Sequence, residues 1–150
     1  MLESEIPPLD MIVRLLMAAD LALLLGLERE LRRKPAGLRS HMLVSVGAAA
    51  FILIGLHILM TTAEGDPSAR IDPSRIVEGV IGGIGFLGAG CIIQSRGSVQ
   101  GITTGASIWI SGAIGVACGL GTLVLATMVT VLALIIVVVL GRFERDVIEE

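Results

Sequence analysis

Between Gly79 and Gly121 the chain places thirteen of its nineteen glycines, in surroundings that are almost wholly apolar. In a water-soluble helix each would cost about 0.5–1 kcal/mol relative to alanine. In a bilayer the balance changes. Lipid tails are as apolar as leucine, so large side chains do not draw helices together, whereas small residues let backbones approach closely. The stretch therefore predicts two transmembrane helices packed at their small faces.

The rest of the chain supports a membrane reading. Of its 150 residues 54% are hydrophobic and 17% charged, and the mean hydropathy is +0.90. Soluble domains carry roughly 25% charge. Five segments approach the length that about 30 Å of hydrocarbon requires. They are 9–27, 41–60, 76–94, 102–118 and 122–140. The expectation is one transmembrane domain, all-α, with about five spanning helices. The turn Gly119-Leu-Gly121 makes the last two a tight antiparallel pair. The N-terminus, Met-Leu-Glu-Ser-Glu-Ile-Pro-Pro, lacks the positive region of a secretory signal, so the first span is expected to be retained.

Charge sets the expected orientation. Eight basic residues fall on one side: five from Arg29 to Arg39, then Arg96, Arg142 and Arg145. The other side holds Arg70 and Arg75, and Arg14 lies within a span. The positive-inside rule then puts the N-terminus outside and the C-terminus in the cytoplasm. The outer loop 61–74, with Asp66-Pro67 and Asp72-Pro73, reads as turns leading into the third helix, and the tail after Gly141 as one or two further helical turns. A net charge of −3 gives no reason to expect a nucleic-acid partner.

Polar residues inside the spans are the candidate functional groups. A mid-span carboxylate costs about 2.5–3.5 kcal/mol on insertion scales and faces a partner or a cavity. Asp20 and Glu78 are of this kind, and Arg14 is placed to pair with Glu78 across the outer leaflet. With Glu28 they form a candidate cation site; a structural ion pair is the plainer reading. At the inner rim Glu28, with Glu30, Arg39 and His41 near in sequence, suggests a second polar cluster; a solvated loop that sets topology explains Arg32, Arg33 and Lys34 fully, and Glu28, Arg29 and Arg39 less completely. Cys91 and Cys118 lack metal-ligand spacing and read as small buried hydrophobes.

Ser107, Ser111, Gly115 and Gly119 recur every fourth residue of the fourth helix, as do Gly79 and Gly83, then Gly85 and Ala89, on the third. Packing is the default reading; a broken helix lining a substrate path is the alternative. Thr103 and Thr104 stand at the start of the fourth helix, where they are expected to cap it or bond back one turn. Gly83-Ile-Gly-Phe-Leu-Gly88 fits G-x-G-x-x-G but has neither a preceding strand nor a downstream acid. Ser107 is not in a nucleophile elbow. No catalytic constellation appears, and an enzyme is not expected.

At four ordered blocks the chain resembles the MgtC/SapB family of bacterial inner-membrane proteins. They are Gly26-Leu-Glu-Arg-Glu30, Ala36-Gly-Leu-Arg-Ser-His41, Gly83-Ile-Gly-Phe-Leu-Gly-Ala-Gly90 and Gly101-Ile-Thr-Thr-Gly-Ala-Ser-Ile-Trp109; Asp72-Pro-Ser-Arg75 also fits. The resemblance carries family motif positions onto Glu28, Arg29, Gly37, Leu38, Arg39, Gly85, Gly88, Gly90, Thr103, Thr104 and Trp109. It implies a multi-span inner-membrane protein linked to growth in low magnesium and, in pathogens, to survival inside phagocytes. It further implies action on membrane partners such as the ATP synthase or a transporter rather than magnesium transport itself. Asp20 and Glu78 depart from the family pattern, and the C-terminal soluble domain of longer members is not expected here.

Two functions follow as expectations. One is a non-enzymatic, homo-oligomeric regulator without a cofactor, embedded in the bilayer and acting on another membrane complex. The other is a transporter or channel for Mg2+ or another small solute, with Asp20, Glu28 and Glu78 along its path.

Overall fold

The computed structural model describes residues 6–65, 72, 74–95 and 98–143. Five helices follow in order: α1 Pro8–Leu31, α2 Leu38–Gly65, α3 Ser74–Gly90, α4 Ile102–Gly119 and α5 Leu123–Ile135. α5 passes straight into a π-helical turn, Ile136–Leu140. A small antiparallel hairpin joins α3 to α4, with β1 Ile93–Ser95 paired to β2 Ser98–Gln100. The molecule is an all-α membrane helix bundle. Leu38–Thr62, Ile102–Gly119 and Leu123–Phe143 are long and apolar enough to cross a bilayer. α1 has the length but carries Asp10, Arg14 and Asp20 along it. α3, at 17 residues, reaches only about 25 Å.

The sequence-based boundaries need three corrections. The third span ends at Gly90, not Gln94, because Cys91 and Ile92 turn back onto Gly88 and Ala89 and the chain then enters the hairpin. α2 runs on through Thr61–Gly65, where turns were expected. α4 starts behind Gly101, whose left-handed φ of 87° breaks the chain direction; neither Thr103 nor Thr104 caps it. Asp66-Pro67, Arg70, Pro73, Arg96 and the tail beyond Phe143, Arg145 included, lie outside the described residues.

α4 is the axis of the bundle, packing against α1, α2, α3 and α5. Its small residues permit this. A Cβ on Gly119 would stand 2.8 Å from the Ala49 carbonyl, and one on Gly105 2.6 Å from the Gly88 carbonyl. Gly115 fits against the Ser45 carbonyl with no room for any side chain. The core follows this contact: Ala18, Leu21, Ala49, Ile114, Ala117 and Cys118 form its main cluster. α4 ends in a Schellman motif, with Thr122 and Gly121 amides bonded back to Ala117 and Cys118 and Gly121 at φ 80°.

Candidate functional site

The polar groups gather where α1 ends, α2 begins and α4 begins. α1 also closes with a Schellman motif. Lys34 and Arg33 amides bond to Arg29 and Glu30, and Arg33 takes the left-handed position at φ 52°. Inside that corner Glu28 Oε2 receives Arg29 Nε, and Glu28 Oε1 lies against Arg32 Nε. Arg29 is 97% buried by this arrangement, being only 3% exposed. Glu30 reaches across to accept the Leu38 amide at 3.0 Å, so the first turn of α2 is capped by a side chain of α1. Gly37 has no room for a Cβ because the Glu30 carboxylate occupies that space. Gly26 admits α2: a Cβ there would meet Leu38 Cα at 2.9 Å.

His41 links this corner to α4. It is fully buried, with Nδ1 2.7 Å from the Gly37 carbonyl and Nε2 3.0 Å from Ser107 Oγ. A carbonyl only accepts, so Nδ1 carries a proton. The Ser107 hydroxyl also lies 2.8 Å from the Thr104 carbonyl and donates there when Nε2 holds a second proton. When Nε2 is bare, the same hydroxyl serves the ring instead. The pocket thus accommodates both protonation states by one hydroxyl rotation. Ser111 continues the line by donating to the Ser107 carbonyl at 3.1 Å.

At the opposite end Arg14 closes α4. Its Nη1 donates to the Gly119 carbonyl at 2.8 Å, and its Nη2 pairs with Asp10 at 2.7 Å. A cation at a helix C-terminus meets the negative end of the helix dipole. This corrects the expected pairing with Glu78: the acceptor is a backbone carbonyl assisted by Asp10. Glu78 and Arg75 are both exposed, and among the described residues neither makes an ion pair. Asp20 is exposed on α1. Among the described residues no three His, Cys, Asp or Glu side chains come together to hold a metal ion, so Asp20, Glu28 and Glu78 do not converge within one chain.

The structure therefore joins Glu28, Arg29, His41, Ser107 and Ser111 and leaves Arg39, Arg75, Thr103 and Trp109 outward. Thr104 is buried beside the cluster. Of the packing glycines, Gly88, Gly115 and Gly119 meet other helices; Gly79, Gly83, Gly85 and Gly90 face open space. Three participants escaped sequence reasoning. Arg32 belongs to the ion-pair network, Ser45 is fully buried in the α2–α4 seam, and Asp10 supports Arg14. The i, i+4 spacings Glu28–Arg32 and Asp10–Arg14 were the available signals.

The MgtC family model matches residues 15–146. The chain belongs to the MgtC family. Protein MgtC of Salmonella typhimurium is 43% identical over 123 residues, 82% of this chain and 49% of the relative. The Escherichia coli K12 protein named "Putative magnesium transporter YhiD" is 37% identical over 127 residues, 85% of this chain and 59% of the relative. An uncharacterized Haemophilus influenzae protein is also 37% identical, over 123 residues. The chain spans about half the length of the curated relatives it matches. No solved structure matches it. Family membership and the apolar helices make this MgtC-family chain a membrane protein.

Proposed function

We propose that this chain is a non-enzymatic, oligomeric inner-membrane regulator that adapts the cell to low magnesium or acid, with a role in virulence in pathogens. It would act by contacting another membrane complex, such as the ATP synthase or a transporter, and would need no cofactor. One observation carries this reading. The polar groups that pair do so at the two ends of the bundle, while along α3 and α5 the outward residues are mostly small and apolar, Arg75 and Glu78 excepted. Such a molecule offers the bilayer surfaces for helix contact. The same proposal sets the N-terminus in the periplasm and the C-terminus in the cytoplasm. Reporter fusions at residue 65 and after residue 150 check it, since a cytoplasmic signal at 65 reverses the topology.

A second reading is a transporter for Mg2+ or another small solute. It is favoured by the exposure of Asp20 and Glu78, which other copies could supplement, and by the name of the YhiD relative. Mg2+ needs several oxygen ligands and sheds water reluctantly. Magnesium flux into proteoliposomes separates the two, measured beside Asp20→Asn and Glu78→Gln. Flux that depends on those acids establishes transport. Absence of flux from folded, inserted protein, with a growth defect in low magnesium on gene loss, supports regulation. Unchanged growth and no captured membrane partner overturn regulation.

A further inference from the structure

α2 and α3 diverge and leave a groove of about 770 Å3 open to the outside of the bundle. On α2 its walls run from Leu43 to Ile58, and on α3 from Arg75 to Leu87. Ala48 and Ile84 form a buried floor, and Ile76 lies against Gly55 near the end where α3 begins. Gly47, Gly79 and Gly83 also line the groove, and a Cβ on any of them would meet nothing within 4 Å among the described residues. These three glycines bring no other helix of this chain closer. By lacking side chains they leave the groove hollow.

From Arg75 to Leu87 the groove is about 18 Å long at 1.5 Å per residue. One leaflet contributes about 15 Å of hydrocarbon, half of a core roughly 30 Å thick. The groove therefore starts at one membrane surface and runs about one leaflet deep. Spread over that length, its volume gives a mean section of about 40 Å2. A helix with its side chains is about 10–12 Å across, about twice that section or more, so it lies over the mouth rather than inside. Polymethylene chains are narrow and flexible enough to follow the slot. Among the described residues Arg75 is the one charged residue in the lining, and it is exposed and makes no ion pair. Glu78 lies one turn further in and does not line the groove. A cation at the rim of an apolar slot one leaflet deep complements a molecule with an anionic head and hydrocarbon tails.

We infer that this groove binds an anionic phospholipid, with its phosphate on Arg75 and its acyl chains running past Gly79 and Gly83 between α2 and α3. The planar guanidinium offers a fork of N–H donors that matches phosphate oxygens. At the edge of the hydrocarbon that charge needs a counterion, and the phosphate supplies it. The tails gain no hydrophobic energy by leaving other tails, since the bilayer is as apolar as the groove. Selectivity therefore rests on two separable features, the charge at Arg75 and the hollow kept by the glycines. The site is the same whether the chain regulates or transports, and the growth and flux tests read a different property.

The test uses the full chain in detergent with equal amounts of phosphatidylglycerol and phosphatidylethanolamine, and native mass spectrometry counts the lipid retained. Phosphatidylglycerol should be held in preference, and Arg75→Gln should weaken its retention roughly tenfold or more and remove the preference. Arg75→Lys, which keeps the charge, should restore part of it. Gly83→Leu should expel both lipids without lowering the thermal stability of the chain, because a side chain there meets nothing among the described residues. Glycerol phosphate, which has the head without the tails, should not displace the bound lipid. Equal retention of the two lipids, retention indifferent to Arg75→Gln, lipid that survives Gly83→Leu, or displacement by glycerol phosphate overturns the inference. So does a dimer that carries no lipid and dissociates on Gly83→Leu, which would make a second copy the occupant.

Discussion

On α4, Gly105, Gly112, Gly115 and Gly119 each stand against another helix; on α3, Gly79, Gly82, Gly83 and Gly90 stand against nothing among the described residues. Both helices show small residues at four-residue spacing, yet only Gly88 of α3 is used internally, opposite Gly105. α4 sits between four neighbours and spends its small surface on them. α3 leans on α4 from one side, and most of its glycine face is turned away. A small-residue stripe thus reports that close approach is possible, but not what approaches.

The contrast is broken most directly by adding one methyl group to each helix. Gly115→Ala drives Cβ into the Ser45 carbonyl, and the α2–α4 seam must open. The expected loss is about 3 kcal/mol, at the upper end for overpacking. Gly79→Ala and Gly83→Ala should instead gain up to about 1 kcal/mol of helix propensity in the monomer. Reversible unfolding in mixed micelles, followed by circular dichroism, compares them. Equal effects would erase the difference between the two helices.

The helix ends sharpen it. α4 is closed from another helix by Arg14, so Arg14→Ala removes a charged hydrogen bond worth about 1.5–3 kcal/mol in the same assay. α1 ends on the motif that also ends α4, but with Arg33 where α4 has Gly121. Arg33→Gly should stabilise by about 1 kcal/mol, and Gly121→Ala should cost about as much. The start of α3 is closed locally: Asp72 Oδ1 accepts the Ser74 amide at 2.9 Å. The Ser74 hydroxyl, then its amide, holds the Asp72 carboxyl below the usual carboxylate range. A depressed pKa gives stability that is complete above the unfolded value of about 4 and disappears as pH falls through the folded one. Amide exchange in the first turn of α3 should therefore quicken in acid, and Asp72→Asn should flatten that dependence. This is the smallest of the effects, since Asp72 is fully solvated.

Much of this architecture was legible in the residues. Apolar length located five helices, and the charged corner from Glu28 to His41 was visible as a cluster. What escaped was pairing over distance. His41 and Ser107 are 66 positions apart, and Ser107 reads in sequence as a packing residue because serine serves both purposes. Arg14 was assigned a carboxylate because side chains are what a sequence displays; its acceptor on α4 is a carbonyl, which every residue has. The hairpin was hidden because Ile92 and Ile93 extend the apolar run of α3 without a break in hydropathy. Asp20 and Glu78 stood out by their cost in lipid, and that cost says nothing about whether they converge.

The bond from Glu30 to the Leu38 amide has a bearing on biogenesis. α2 borrows its first cap from α1, and Gly37 keeps the space for it. These groups lie within nine residues of chain, so α1 and α2 can leave the insertion machinery as a closed pair before α4 is made. His41 is by then already oriented by Gly37, waiting for a serine that is synthesised later. The first two helices are in this sense a template, and α4 is the piece that is fitted to it.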